Sequence, residues 1–375
     1  MRIAINTRLL ISNKMDGIGW FTAETVKRIV KDHPEDDFYL FFDRKPESSF
    51  VSGNNVHPVI LHPQARHPIL WYLFFEWSVS KALKKYKIEL FLSPDGFIST
   101  KSKVPTLTVI HDLNFEHFEG NLKASHQRFM SHYFPRYAQL ATRIATVSEY
   151  SKKDIAETYH IASEKIDVVY DGAHDAYTPL GTAENTKTRD EYTQGKPYFI
   201  FISTILRRKN LANLLTAFDQ FKTTSKSDMK LVVVGARVWW QDELKEAFDR
   251  MEHQDDVIFA GRADVETLSR LLSAAKALVY PSFFEGFGIP IIEAFHAEVP
   301  VITSNCTSMP EIAGDAALLI DPHDTNAIAT ALARIEDDAE LCNQLIERGR
   351  IQREKFTWDI TARLLWESMM KCVEK

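Results

Sequence analysis

Two carboxylates eight positions apart, Glu285 and Glu293, bracket a glycine-rich turn in the segment Pro281-Ser282-Phe283-Phe284-Glu285-Gly286-Phe287-Gly288-Ile289-Pro290-Ile291-Ile292-Glu293. A β-type run, Lys276 to Tyr280, leads into it, and a helical pattern follows and stops before Pro300. Gly286 and Gly288 lack a Cβ, so a ligand can come close to the amides of Gly286, Phe287, Gly288 and Ile289. Those amides open a helix, where unpaired N–H groups and the dipole favour an anion. Pro290 suits the first helical turn because its missing N–H would be unpaired there. An anion-binding turn flanked by carboxylates fits a phosphate with hydroxyls beside it. A nucleotide sugar answers to that description better than a bare nucleotide. The bland alternative puts Glu285 in a surface turn and Glu293 on a solvated helix face.

Other candidates fall at comparable junctions. A strand over Thr106–Ile110 ends in His111-Asp112-Leu113, and ligands of parallel α/β sheets bind beyond strand carboxyl ends. A lone histidine is usually structural; at this place it is a site candidate. Gly17-Ile18-Gly19 lies between a strand read over residues 2–10 and a helix starting near Trp20. This is a phosphate-cradle position, although the full G-x-G-x-x-G is absent. After the strand Tyr198–Ile202 comes Arg207-Arg208-Lys209-Asn210, opening a helix at Leu211. Cations at a helix N-terminus oppose its dipole, so something anionic should compensate for them.

The elements that hold these residues alternate strand and helix twice over. The 375 residues exceed one ordinary core, so two domains are expected. The fold read from the alternation is α/β, with doubly wound parallel sheets. The boundaries are an N-terminal domain at 1–177, a C-terminal domain at 178–355 and a closing helical segment at 356–375, with a polar linker from Gly172 to Pro197. A helical run from Ile69 to Lys85 is apolar nearly all round its first turns and basic at its end. It reads first as a buried helix, and second as a membrane-surface contact with aromatics at the interface and lysines at headgroups.

Apolar content of 45% and charge of 26% are those of a soluble globular chain. The three cysteines are scattered and form neither a disulfide framework nor a metal-ligand spacing, which points to a reducing cytoplasm. No signal-peptide core opens the chain, and no apolar run approaches the ~20 residues that span a bilayer. Residues 1–177 carry 22 Lys/Arg against 21 Asp/Glu, and the remainder 23 against 30. That balance excludes nucleic acid as the main partner, since a basic footprint is missing.

Glu285 and Glu293, set in Glu-Gly-Phe-Gly-Ile-Pro, resemble the Glu-x7-Glu motif of retaining glycosyltransferases with the two-domain GT-B fold, family four in particular. His111-Asp112-Leu113, the Arg208-Lys209-Asn210 turn, Thr146 to Ser151 and the Ser308 to Asp315 stretch are similar to that family as well. The resemblance implies two Rossmann-like domains facing across a cleft, with a last helix crossing back to the first. It implies that Glu285 touches donor sugar hydroxyls and Glu293 the ribose. His111 would lie near the donor sugar and leaving phosphate, and Arg208 and Lys209 would hold the diphosphate. Gly17 and Gly19 would border the donor phosphate, and Gly261 and Arg262 the nucleotide base. The chain departs from the pattern at Ser203, where glycine is usual, and at Thr204, where many members carry another arginine. The division of labour between Arg207 and Arg208 is open on these grounds.

The implied reaction moves a sugar, with retention, from a nucleoside-diphosphate donor to an acceptor hydroxyl. The donor is a co-substrate, and no cofactor or metal is expected because no D-x-D occurs in the chain. GDP-mannose is favoured slightly over a UDP-sugar. The acceptor would be a saccharide or lipid-linked chain in bacterial polysaccharide, glycolipid or lipopolysaccharide synthesis. The expected location is cytoplasmic, with a peripheral contact of the N-terminal domain at the inner membrane. A front-face attack, in which the departing phosphate takes the acceptor proton, is favoured over a double displacement by way of Glu285. Rival readings are a sugar-nucleotide epimerase, a glycogen-type phosphorylase, a catalytically silent nucleotide-sugar-binding protein and, lacking a dinucleotide fingerprint, a Rossmann dehydrogenase.

Overall fold

Strand β1 (Arg2–Asn6) lies between β2 (Asp37–Phe42) and β4 (Leu90–Ser93) in an all-parallel sheet of order β3-β2-β1-β4-β5-β6-β7. The remaining strands are β3 (Val56–Ile60), β5 (Thr106–Val109), β6 (Arg143–Thr146) and β7 (Ile166–Val168). The structure is a computed structural model and describes residues 1–11, 15, 17–118 and 122–374. The chain divides into one unit of Met1–Gly172 with Thr357–Lys375 and a second of Ala173–Phe356. The second unit repeats the plan with β8 (Tyr198–Ile202), β9 (Lys230–Val234), β10 (Val257–Gly261), β11 (Ala277–Tyr280), β12 (Val301–Ser304) and β13 (Ala317–Ile320). Its order is β10-β9-β8-β11-β12-β13, again parallel throughout.

Both sheets are covered by helices, which is why β4 and β8 read as continuous apolar runs and are buried along their whole length. In each unit the order reverses beside the first strand, at β1–β4 and at β8–β11. Such a switch point opens a crevice at the strands' carboxyl ends.

The first strand stops at Asn6, short of the expected residue 10, because Thr7 turns its hydroxyl and amide to Phe41 O and Leu10 closes a turn on Thr7. The first helix, Gly17–Asp32, takes Gly17 and Gly19 into its opening turn, so they do not form a separate glycine loop. Ser148 caps the helix Glu149–Tyr159, accepting from Ser151 N at 3.0 Å. The closing helix, Trp358–Met370, packs on the first one: Trp366 stacks on His33 at 3.6 Å, and Arg28 pairs with Asp359 at 2.6 Å. Lys371 and Ser368 reach Asp167 at 2.9 and 2.7 Å.

One expectation needs correction. The stretch from Gly172 to Pro197 is not an irregular linker, because it contains a helix over Thr182–Thr193. Its inward residues are Thr188 and Thr193, and it is anchored by Arg189 donating to Ala274 O at 2.9 Å, so it shows no apolar stripe. The run from Ile69 to Lys85 is helical but not uniformly α: Pro68–Leu73 and Ser80–Lys85 flank a π-helical stretch, Phe74–Val79. Most of it is core, with Trp71, Phe74, Phe75, Val79, Ala82 and Leu83 buried. Ile69 and Trp77 remain 68% and 54% exposed. Among the described residues no helix is long and apolar enough to cross a membrane.

Candidate active site

At the β8–β11 switch point of the second unit, the sequence forces a short cationic turn against a carboxylate. Arg207–Lys209 form a single 3-10 turn, which Asn210 ends in the left-handed region at φ 61° before the helix Leu211–Ser225 begins. Asparagine tolerates that conformation better than most residues. Its amide then ties three loops together, donating to Pro281 O at 2.9 Å and to Pro322 O at 2.7 Å. Phe283 N donates to Arg208 O at 2.8 Å and completes the join between the loops after β8 and β11.

Lys209 Nζ lies 2.5 Å from Glu285 Oε1 and 2.9 Å from the Tyr280 hydroxyl. Arg208 Nη1 lies 3.0 Å from Glu285 Oε2 and 2.8 Å from Phe284 O. Lys209 and Glu285 are both buried. Burial alone would raise the Glu285 carboxyl, but Lys209 and Arg208 outweigh it and hold the group down at about 2. Burial and the neighbouring Glu285 charge push the Tyr280 phenol well above its usual range. The anion that the two cations call for is therefore present within the protein. Two cations converge on this one turn, and such a concentration of positive side chains suits a multiply charged ligand.

The backbone from Gly286 to Ile289 continues from Glu285. Gly288 adopts φ 108° as N-cap of the helix Ile289–His296, a conformation that favours glycine, and Pro290 stands in the first turn. Ser308 Oγ holds this turn by donating to Glu285 O or Phe287 O, each at 2.9 Å. The Phe287 ring is buried against Phe356 at 5.6 Å, so its side chain belongs to the core and only its backbone faces the turn. Glu293 is half-buried in the same helix. Burial pushes its carboxyl up to about 7, and the Tyr177 phenol pulls the other way.

The structure thus brings Arg208, Lys209, Glu285 and the Gly286–Ile289 turn together. Arg207 points outward to Glu243 at 2.6 Å, so of the two arginines it is Arg208 that joins the cluster. Gly261 ends β10, two strands from β8 in the sheet, and Arg262 follows it. His111 belongs to the first unit, at the end of β5. Its Nε2 lies 2.9 Å from Pro94 O, and its ring meets Phe21 edge-on at 5.0 Å. Gly17 and Gly19 are also in that unit; a Cβ on Gly19 would sit 3.3 Å from Met15 Cβ.

Sequence reasoning passed over a buried polar group at the first unit's switch point. Arg8 pairs with Asp95 at 2.6 Å, Asn6 donates to Asp95 at 2.8 Å, and the Arg8 guanidinium lies over Phe97 at 4.7 Å. Asn6 and Arg8 had looked like the tail of a strand, and nothing local links them to a residue almost ninety positions away. Tyr177 was missed for the same reason. Among the described residues His33, Glu35 and Asp36 form a group with metal-ligand spacing, but Asp36 is already paired with the amino terminus.

Comparison with known proteins agrees with this geometry. The family model described as Glycosyltransferase Family 4 matches residues 15–176, and that described as Glycosyl transferases group 1 matches residues 184–352. The chain is 28% identical to O-antigen chain mannosyltransferase B of Escherichia coli, over 93% of this chain and 94% of that one. It is 28% identical to O-antigen chain mannosyltransferase RfbU of Salmonella typhimurium, over 72% and 71%. Among solved structures, sucrose-phosphate synthase from Thermosynechococcus elongatus superposes with a TM-score of 0.79 at 18% identity, covering 99% of both chains. Anabaena HepE in complex with UDP and glucose gives 0.75 at 17%, covering 98% of this chain and 99% of that one. With two Rossmann-like parallel sheets, a matched module on each and the cationic turn closed on Glu285, the chain belongs to the GT-B glycosyltransferases of the family-four and group-one type.

Proposed function

We infer that this glycosyltransferase moves mannose from GDP-mannose to an acceptor hydroxyl on a bacterial surface polysaccharide of the O-antigen kind, with retention and without a metal ion. The observation that carries the reading is the Arg208–Lys209–Glu285 cluster beside the Gly288-capped helix start. A departing nucleoside diphosphate gains negative charge as the glycosidic bond breaks, and fixed cations and amides offset that charge in a dry site. The mannosyltransferase relatives support the choice of sugar. Retention by front-face attack breaks the anomeric C–O bond to phosphate and forms the new C–O bond on the same face. The acceptor proton goes to the departing phosphate oxygen. Glu285 is ill-suited as a nucleophile, because both its oxygens are engaged by cations and its basicity is low.

A UDP-sugar is the second reading for the donor, favoured by the likeness to HepE, whose structure holds UDP-glucose. The enzyme would act at the cytoplasmic face of the inner membrane, touching it through exposed Ile69 and Trp77 and the neighbouring Lys81, Lys84 and Lys85. Incubation with GDP-mannose or UDP-glucose, a lipid-linked saccharide acceptor and excess chelator tests the assignment. Transfer of mannose with an α-anomeric product by NMR supports it. No transfer from GDP-mannose, loss of transfer with chelator, or an inverted product refutes the corresponding part.

A further inference from the structure

The loop that follows β9 carries an arginine that pairs with no carboxylate among the described residues. Residues 235–240 run beside the segment leading to Arg208: Ile205 N donates to Ala236 O at 3.0 Å, Trp239 N donates to Ile205 O at 3.1 Å, and Ile205 and Arg237 are bridge partners. The Arg237 guanidinium sits 4.1 Å from the Phe259 ring centre and 4.6 Å from that of Trp240. These rings stand at 85° to each other, so the guanidinium occupies the corner between them. Phe248 braces both from behind, at 5.5 Å from Trp240 and 5.7 Å from Phe259.

Arg237 is exposed, and among the described residues it makes no ion pair, whereas Arg207 is taken by Glu243 and Arg208 by Glu285. The aromatic corner holds the guanidinium of this exposed side chain by cation–π contact. A planar fork of this kind matches two acceptors lying side by side in one plane. Beside it, Gly261 ends β10 at φ 74°, and a Cβ there would meet nothing within 4 Å, so there is open space over that strand end. Strands in a sheet are about 5 Å apart, so the ends of β9 and β10 lie one and two spacings from the Arg208–Lys209 turn at the end of β8. That displacement is comparable with the length of a nucleoside whose phosphates rest on the turn.

We propose that Arg237 reads the donor's nucleobase, pointing its N–H fork at the adjacent O6 and N7 acceptors of guanine, and so selects a guanine nucleotide over uridine. Uracil offers no such adjacent pair, since its O4 is followed by a C–H on one side and an N–H on the other. The inference rests on the nucleotide-sugar reading above. Phosphate oxygens are the other acceptors a fork could take, and base-dependent affinity separates the two.

The test is calorimetric binding of GDP, IDP and UDP to the full chain, to Arg237→Ala and to Arg237→Lys. IDP keeps O6 and N7 but lacks the guanine amino group. The unsubstituted chain should bind GDP and IDP more tightly than UDP. Both variants should weaken GDP and IDP by roughly tenfold or more, the scale of a bidentate arginine–guanine pair, and leave UDP unchanged. Arg237→Lys should fare little better than alanine because it lacks the fork. Equal weakening of all three nucleotides would assign Arg237 to the phosphates and overturn the inference. Undiminished GDP preference in Arg237→Ala would overturn it too, with the donor reading intact. A chain that prefers UDP, or binds none of the three, removes the guanosine donor and the inference together.

Discussion

Lys209 Nζ and Glu285 Oε1 stand 2.5 Å apart, both buried, with Arg208 closing on the other carboxylate oxygen at 3.0 Å. The resemblance to the family motif implies a substrate contact for the glutamate and a phosphate contact for the lysine. Here the two are also one electrostatic unit, so altering either changes the field the other produces. Replacing Lys209 with alanine should cut kcat by roughly 10²-fold or more, as loss of an electrostatic stabiliser does. The variant's melting temperature should also fall, because buried Glu285 loses one of its two cationic partners. Steady-state turnover measured well below that melting temperature separates the effects, and unchanged kcat would take Lys209 out of the mechanism.

The two glutamates should leave opposite marks on the pH dependence of stability. Glu285 is held near 2, below its ordinary 4.5, so its contribution is present above 4.5 and lost as pH falls toward 2. That contribution is on the order of 3 kcal/mol. Glu293 is raised to about 7, so the native state keeps a proton that the unfolded chain releases, and stability falls as pH rises from 4.5 to 7. Glu293→Gln should therefore melt higher relative to the parent at pH 8 than at pH 5. A parallel pair of melting curves across that range would refute the assignment.

Asn210 combines an unusual backbone conformation with bonds to two carbonyls. Asn210→Gly keeps the φ and loses the bonds; Asn210→Ala loses both. Each lost buried hydrogen bond is worth about 1 kcal/mol, with about 1 kcal/mol more for alanine in the left-handed region. Denaturant titration should thus rank parent, glycine and alanine in falling order. Activity should follow that ranking, because the residue positions Lys209. Equal stability of the two variants would show that the conformation carries no cost.

Trp77 is the exposed aromatic of the helical run, with Lys81 Nζ 5.7 Å from its ring centre. Sedimentation with anionic vesicles should recover the parent chain, and Trp77→Ala with Lys81→Ala should reduce recovery several-fold. Added salt should weaken binding of the parent. Equal recovery on neutral and anionic vesicles would exclude an electrostatic contact.

The sequence was most informative where chemistry and local conformation coincide. The Glu285–Gly288 turn and the Arg208–Lys209 turn each announce themselves within a few residues, through glycine, proline and charge. It was silent where partners are distant or where burial uses polar groups. The helix at Thr182–Thr193 turns threonines inward and so lacks the apolar period by which helices are read. Neither the π-helical register around Glu76, which accepts from Thr100 N at 2.9 Å, nor the pairing of Arg8 with Asp95 leaves any periodic trace. Arg207 and Arg208 are alike on paper, and only the neighbouring Glu243 and Glu285 tell them apart.

Pro322 accepts the Asn210 side chain from 112 positions downstream, on the loop beyond β13. Variation in that loop would ordinarily be dismissed as remote from chemistry. It abuts the turn that presents Lys209, however, so a chain with an altered loop there can keep every motif residue and still lose its reaction.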